Sequence, residues 1–108
     1  MDEAEFHRRA DALLARLEEA VEASGADIDY DTVSDILTLE FADGSKIIVN
    51  KQAPARQVWV AARAGGFHYD YDAAGDRWVN DQSGAELFEE LSRLASGQAG
   101  EAVTLAPA

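Results

Sequence analysis

The sequence predicts a two-layer α-β sandwich of the α+β class, with two helices packed on one face of a five- to six-stranded antiparallel sheet. Three observations predict it. Apolar residues recur at helical spacing near both ends, apolar and polar residues alternate through the middle, and turn-forming dipeptides separate the alternating runs.

From Glu3 to Ala23, residues Phe6, Ala10, Leu13, Leu14, Leu17 and Val21 recur at intervals of three and four, which makes an amphipathic helix that Gly25 ends. In the following IDYDTVSDILTLEF, Asp27, Asp29 and Asp31 alternate with Ile28 and Tyr30. Further on, Leu37, Leu39 and Phe41 alternate with Thr38 and Glu40, so the stretch reads as two strands. Asp43-Gly44 tolerates the positive φ of a tight turn and leads into a third strand at KIIVN. QVWVAA, GFHYDY and DRWVN read as three more strands, separated by Gly65-Gly66 and by the turn cluster from Asp72 to Gly75. Ser83 to Glu86 fits a capping box, and Leu87, Phe88, Leu91, Leu94 and Ala95 put one apolar face on a second helix ending near Gly97. A polar tail, GQAGEAVTLAPA, follows. With no internal repeat and no long linker, one domain over residues 1–108 is expected: helix at about 3–23, strands within about 27–80, helix at about 83–97, tail at 98–108. The sheet face away from the helices then lies open.

Composition narrows the function. At 108 residues, 47% of them hydrophobic, the chain can build one core. Its 21 Asp and Glu against 9 Lys and Arg give a net charge of -12, which repels nucleic acid and anionic membranes and attracts cations or basic protein surfaces. No stretch approaches the roughly 20 apolar residues of a spanning helix, and MDEAEF lacks the features of a signal peptide, so a cytoplasmic protein is expected. Without cysteine, a metal must be held by oxygen or imidazole.

The acidic residues are segregated. At 100° per residue, His7, Asp11, Glu18 and Glu22 fall within an arc of about 60° beside the apolar stripe, with Arg9 and Arg16 on the opposite flank. Nothing along that edge is expected to pair these carboxylates, except that Arg8 could reach Asp11 at i,i+3. If the first strand lies at the sheet edge beside this helix, Asp27, Asp29 and Asp31 extend the stripe into one anionic ridge. Such a ridge could hold Fe²⁺, Fe³⁺ or Mn²⁺ through one or two ligands plus water, could dock a basic protein surface, or could be only a solvated face. His7, near Glu3 and Asp11, is either a ligand or a solvated helix-face histidine. His68 and Asp70 share a strand face, but no nucleophile is identifiable beside them, so a binding protein rather than an enzyme is expected.

The strand QVWVAA turns Val58 and Val60 to the helices and Gln57, Trp59 and Ala61 to the open face. An exposed tryptophan among Asn and Gln side chains suits a protein contact; the alternative is that a loop or the tail covers it.

These residues carry a family resemblance. NKQAPARQVW, at 50–59, closely resembles the signature of the frataxin family, and GGFHYD, at 65–70, looks like its bacterial CyaY-type branch. EFHRRADALLARLEE, the Asp-Gly hairpin before KIIVN, DRWV and SGAELFEELSRLA fall in the family's order, so the resemblance covers nearly the whole chain. It implies an α-β sandwich that binds iron weakly through Glu3, His7, Asp11, Glu18, Glu19, Glu22, Asp27, Asp29 and Asp31. It also implies a role in iron-sulfur cluster assembly as iron donor or as regulator of the cysteine desulfurase. Glu18, Glu19, Glu22, Asn50, Gln52, Gln57 and Trp59 would then form the partner surface. The implied partners are the desulfurase and the cluster scaffold machinery, with ferrochelatase allowed, and the implied state is a monomer that iron could drive to oligomerise. Two departures bear on the ligands: Ala15, Ala20 and Ala23 thin the acidic run, and Arg56 stands where some bacterial members have a histidine proposed to touch iron. The rival reading is a metal-independent acidic adaptor or inhibitor that docks a basic surface.

Overall fold

The structure, a computed structural model, describes residues 1–107. Helix α1 (Glu3–Ser24) leads into six strands, β1 (Ile28–Val33), β2 (Ile36–Phe41), β3 (Lys46–Gln52), β4 (Gln57–Ala62), β5 (Gly65–Asp72) and β6 (Arg77–Asn80), and then helix α2 (Leu87–Ala99). The strands form one antiparallel sheet in the order β1-β2-β3-β4-β5-β6, as a chain of short hairpins must. Both helices pack on one face, where Phe6, Leu13 and Leu17 of α1 and Leu87 and Leu91 of α2 meet Leu37, Leu39, Ile47, Val49, Val58, Val60 and Tyr69 in a single core.

Local chemistry sets most of the boundaries. Asp2 caps α1, its Oδ1 accepting from the Glu5 amide at 2.7 Å, and Gly25 ends it in the left-handed conformation at φ 69°. A two-residue turn at Ser34 and Asp35, both left-handed at φ 48° and 71°, closes β1 onto β2. Asp43 shapes the next turn, its Oδ1 accepting from both the amide and the hydroxyl of Ser45.

Three expectations are corrected. The Gly65-Gly66 pair lies inside β5; Ala62 pairs with Gly65, so the turn falls at Arg63-Ala64. The second helix starts at Leu87, not Ser83. Residues 81–85 are drawn into a turn over the Asn80 side chain, whose Oδ1 accepts from the amides of Gln82 and Ser83, and Glu86 caps the helix with its own carboxylate. That helix also runs past Gly97 to Ala99. Its last turn is held from outside, because Gln98 accepts from the Arg63 amide at 3.0 Å and donates to Ser45 Oγ and the Lys46 carbonyl.

The tail is not merely polar. Val103 and Leu105 are buried in the core, and their amides donate to Ser96 Oγ and Ser92 Oγ of α2, whose own hydroxyls lie nearer the helix carbonyls of Ser92 and Phe88, at 2.8 Å, than the tail carbonyls, at 3.1 Å. Serines four apart on one helix face thus substitute for a strand partner.

Candidate metal-binding and docking surfaces

β1 is an edge strand lying beside α1, as the ridge requires, but the carboxylates divide between two faces. Tyr30 is paired with buried Leu39 and therefore points to the helix side, with Thr32 two residues on. Asp29 and Asp31 are paired with Glu40 and Thr38 and point to the open face, where they line a shallow groove with Glu40 and Lys46. Asp27 precedes the strand and lines a different cleft, with Asp43, Arg63 and Glu101 near the end of α2. The acidic residues wrap around an edge and do not converge. Among the described residues, no three His, Asp or Glu side chains come together as a metal site.

Nor is the helix edge unpaired, as the sequence suggested. Thr32 Oγ1 donates to Glu18 Oε2 at 2.6 Å and Tyr30 Oη donates to Glu22 Oε1 at 2.9 Å. The bond to Glu22 raises the Tyr30 pKa, with smaller contributions from burial and from the charges of Glu22 and Glu18. Asp11 is held by Lys51 Nζ at 2.6 Å rather than by Arg8. His7 Nε2 lies 3.7 Å from Glu3 Oε1 on a partly exposed face. Glu19 is exposed, whereas Ala20 is buried in the core, so the alanine there answers packing and does not thin the ridge. Of the neighbours at Glu18 and Glu22, both are neutral hydroxyls, which leave the carboxylate charge uncompensated.

That residual repulsion has a measurable consequence. Added NaCl, or a lower concentration of MgCl₂, is expected to raise the melting temperature by a few degrees in scanning calorimetry, because screening relieves like-charge repulsion. A flat or falling response would show that like-charge repulsion along the edge does not limit the stability of the fold.

On the open face, four of the residues expected at a partner surface come together, whereas Glu18, Glu19 and Glu22 lie apart from them on α1. Asn50 pairs with Trp59 and Gln52 with Gln57 across β3 and β4. Trp59 is half-buried rather than exposed, since the His68 ring stacks on one of its faces with centroids 4.3 Å apart and planes 16° apart. That cover comes from β5, the neighbouring strand, through His68. Trp59 Nε1 donates to Gln57 Oε1 at 2.9 Å, and Gln57 Nε2 donates to Asp70 Oδ1 and Asp81 Oδ2, both at 3.0 Å. His68 Nδ1 lies 4.0 Å from Asp81 Oδ2. Sequence reading missed the membership of Asp81, and cross-strand register was the only signal that could have joined it to Trp59. Arg56, left-handed at φ 53°, turns its guanidinium back onto the Ala53 carbonyl and so braces its own turn.

Exposed Val33, Ile36 and Ile48 continue this face as a pale apolar strip toward β1. Among the described residues, no helix is long and apolar enough to cross a membrane.

Two helices on one face of an open, six-stranded antiparallel sheet, with acids wrapped around the first edge and a tryptophan at the middle of the open face, define a frataxin-type sandwich. The chain belongs to the frataxin family: residues 1–101 match the family described as the frataxin-like domain. It is similar to proteins named iron-sulfur cluster assembly protein CyaY. The one from Dechloromonas aromatica is 51% identical over 97% of this chain and 99% of that protein, and the one from Azotobacter vinelandii is 45% identical over 94% and 92%. Among solved structures, a CyaY-family frataxin from Psychromonas ingrahamii superimposes with a TM-score of 0.90 at 42% identity, covering 98% of this chain and 99% of that one. A trimeric frataxin from the yeast Saccharomyces cerevisiae, complexed with ferrous, superimposes with a TM-score of 0.65 at 28% identity, covering 94% and 88%.

Proposed function

We propose that this protein is an iron-binding accessory factor of iron-sulfur cluster assembly, acting as iron donor, as regulator of the cysteine desulfurase, or both. The observation that carries the proposal is the separation of two surfaces. A charge-rich edge bears Glu18 and Glu22, whose hydrogen-bond donors are neutral, with exposed Glu19 beside them, and a preorganised polar and aromatic patch bears Asn50, Gln52, Gln57 and Trp59. Carboxylates without a closed cage suit a cation that must be released again, so weak iron binding fits donation better than storage. The same negative edge steers a basic partner surface, and Trp59, fixed by His68 and Gln57, supplies a rigid short-range anchor. In this reading the protein is a binding protein, ferrochelatase is a further candidate partner, and a capacity to oligomerise is supported by the yeast relative, which is trimeric in its ferrous complex.

The test is an anaerobic Fe²⁺ titration of ¹⁵N-labelled protein, read by backbone amide signals, for the native chain and for Glu18→Lys with Glu22→Lys. Expected are paramagnetic losses around α1 and β1 that spare the amides around Trp59, and their disappearance in the double variant. Purified cysteine desulfurase should bind the native chain and lose most of its affinity for the variant. If no amide responds at millimolar Fe²⁺ while desulfurase binding persists, the protein is instead a metal-independent acidic adaptor. That second reading draws on the scattered placement of the carboxylates, no three of which converge among the described residues.

A further inference from the structure

We propose that Lys51 is a built-in counterion that closes the Asp11 and Asp35 end of the acidic edge to metal ions, leaving Glu18, Glu19 and Glu22 as its open end. The inference deepens the reading of this edge as an iron site and rests on it for its functional meaning.

Lys51 belongs to the NKQ stretch that ends β3, yet it does not share the face of its neighbours. Ile47 and Val49 are buried under the helices, and two residues further along the strand Lys51 points the same way, while Asn50 and Gln52 turn to the open face. Its side chain is only 4% exposed, and its Nζ lies 2.6 Å from Asp11 Oδ1 on α1 and 3.1 Å from Asp35 Oδ1 in the β1–β2 turn. Both aspartates are themselves well exposed, at 62% and 59% of their side chains. A cation is thus built in beneath two carboxylates that face solvent. The Lys51 amide also donates to the Asp35 carbonyl, so Asp35, in a left-handed conformation that non-glycine residues adopt reluctantly, is held through its backbone and its side chain by one residue.

Burial alone would favour a neutral lysine. The hydrogen bonds to Asp11 and Asp35, together with their charges, outweigh burial and hold the ammonium charged more firmly than in an ordinary lysine. A divalent ion approaching Asp11 must therefore share the carboxylate with an ammonium at contact distance, or displace that ammonium and break its bonds to both Asp11 and Asp35. At the other end, Thr32 and Tyr30 donate to Glu18 and Glu22 without bringing any positive charge. The difference in counter-charge, rather than in the number of carboxylates, decides where a cation settles. Asp11 then serves the attachment of α1 to the sheet.

The inference is tested by titrating ¹³C-labelled protein with Ca²⁺, a diamagnetic probe that seeks oxygen ligands, and following the side-chain carboxyl signals of Asp and Glu by NMR. In the native protein the signals of Glu18, Glu19 and Glu22 should move first. Asp11 and Asp35 should respond only at about tenfold higher Ca²⁺, the scale on which ligand charge tunes a carboxylate site. Lys51→Met, which keeps the apolar stem, should bring the Asp11 and Asp35 signals into the range of the glutamates, and Lys51→Arg should keep the native order. A purely structural lysine would lower the melting temperature of the Met variant without changing that order, which would overturn the inference. So would native Asp11 and Asp35 signals that move together with the glutamates, a result available even if the Met variant fails to fold. If the native glutamates do not respond at all, the reading of the edge as a cation site fails by itself. Lys51 is then judged by whether Lys51→Met alone creates a response at Asp11 and Asp35.

Discussion

Ending the chain at Ala102 is expected to lower the unfolding free energy by about 4 kcal/mol in urea denaturation at neutral pH. Val103 and Leu105 are 5% and 2% exposed and pack into the common core, and burial of one such side chain stabilises by about 1.5–3 kcal/mol. The truncation also removes the two tail amides that now donate to the hydroxyls of Ser92 and Ser96. Leu105→Ala should recover about half or more of the effect, because it opens a cavity while keeping the backbone in place. The truncated chain, if still folded, should keep its response to Fe²⁺, since the tail lies along α2 and not at the edge formed by α1 and β1. A loss below about 1 kcal/mol would mean that the tail is only draped over the core.

Glu90→Ala is expected to cost about 3 kcal/mol, for a different reason. Glu90 is a buried carboxylate on α2. Its Oε1 accepts from Tyr69 Oη and from Asn80 Nδ2 at 2.8 Å, and its Oε2 accepts from Arg93 Nη2 at 3.1 Å. Alanine would leave two buried donors unpartnered, which costs more than the net worth of the bonds themselves. Glu90→Gln keeps an acceptor for Tyr69 and Asn80 and should cost clearly less; equal losses from the two variants would show that packing, not acceptor chemistry, is what the site needs.

The same network sets an alkaline limit. Burial first, and then the bond to Glu90, push the Tyr69 hydroxyl well above its ordinary value of 10.0, with Arg93 opposing. Because the folded pKa is raised, this contribution to stability is fully present below the unfolded value and is lost as pH rises beyond it. Native stability should therefore fall above about pH 10. Tyr30 and Tyr71, both also raised, titrate in the same direction, so the difference between native protein and Tyr69→Phe isolates the buried hydroxyl. The phenylalanine variant should start lower at neutral pH and fall less on the alkaline side, read by urea unfolding at a series of pH values. Parallel curves would mean that Tyr69 ionises as freely in the fold as out of it.

Much of the architecture was legible because its causes are local. The spacing of Phe6, Ala10, Leu13, Leu14, Leu17 and Val21 is enough to make a helix with one buried face, and all six are buried. Alternation along Leu37, Leu39 and Phe41 and along Val58 and Val60 fixes which strand faces meet the helices, hence that Trp59 points away from them. Both misplaced ends of the second helix fell where a side chain bonds backbone outside its own turn of helix. Asn80 diverts the segment at Ser83 into a turn, and Gln98 anchors a helical turn beyond Gly97. Glu90 and Gln98 did leave a trace, since both occupy apolar-stripe positions of α2 in register with Leu87, Leu91 and Leu94.

The surface was legible as composition but not as arrangement. Net charge, the acidic run on α1 and the NKQAPARQVW stretch are properties of the chain alone, and with the other family motifs they were enough to indicate a member of the frataxin family. Only the tertiary structure decides which carboxylates keep their charge exposed. Lys51 is 40 residues from Asp11 and meets it because β3 passes beneath α1. Thr32 and Tyr30 reach Glu18 and Glu22 because β1 pairs at the edge, and that same pairing turns Asp29 and Asp31 to the opposite face. His68 covers Trp59 through cross-strand register. Periodicity fixes the face on which a side chain lies, because it follows from backbone geometry within one element. The counter-charge or ring that side chain meets depends on how separate elements pack, and no local spacing encodes it.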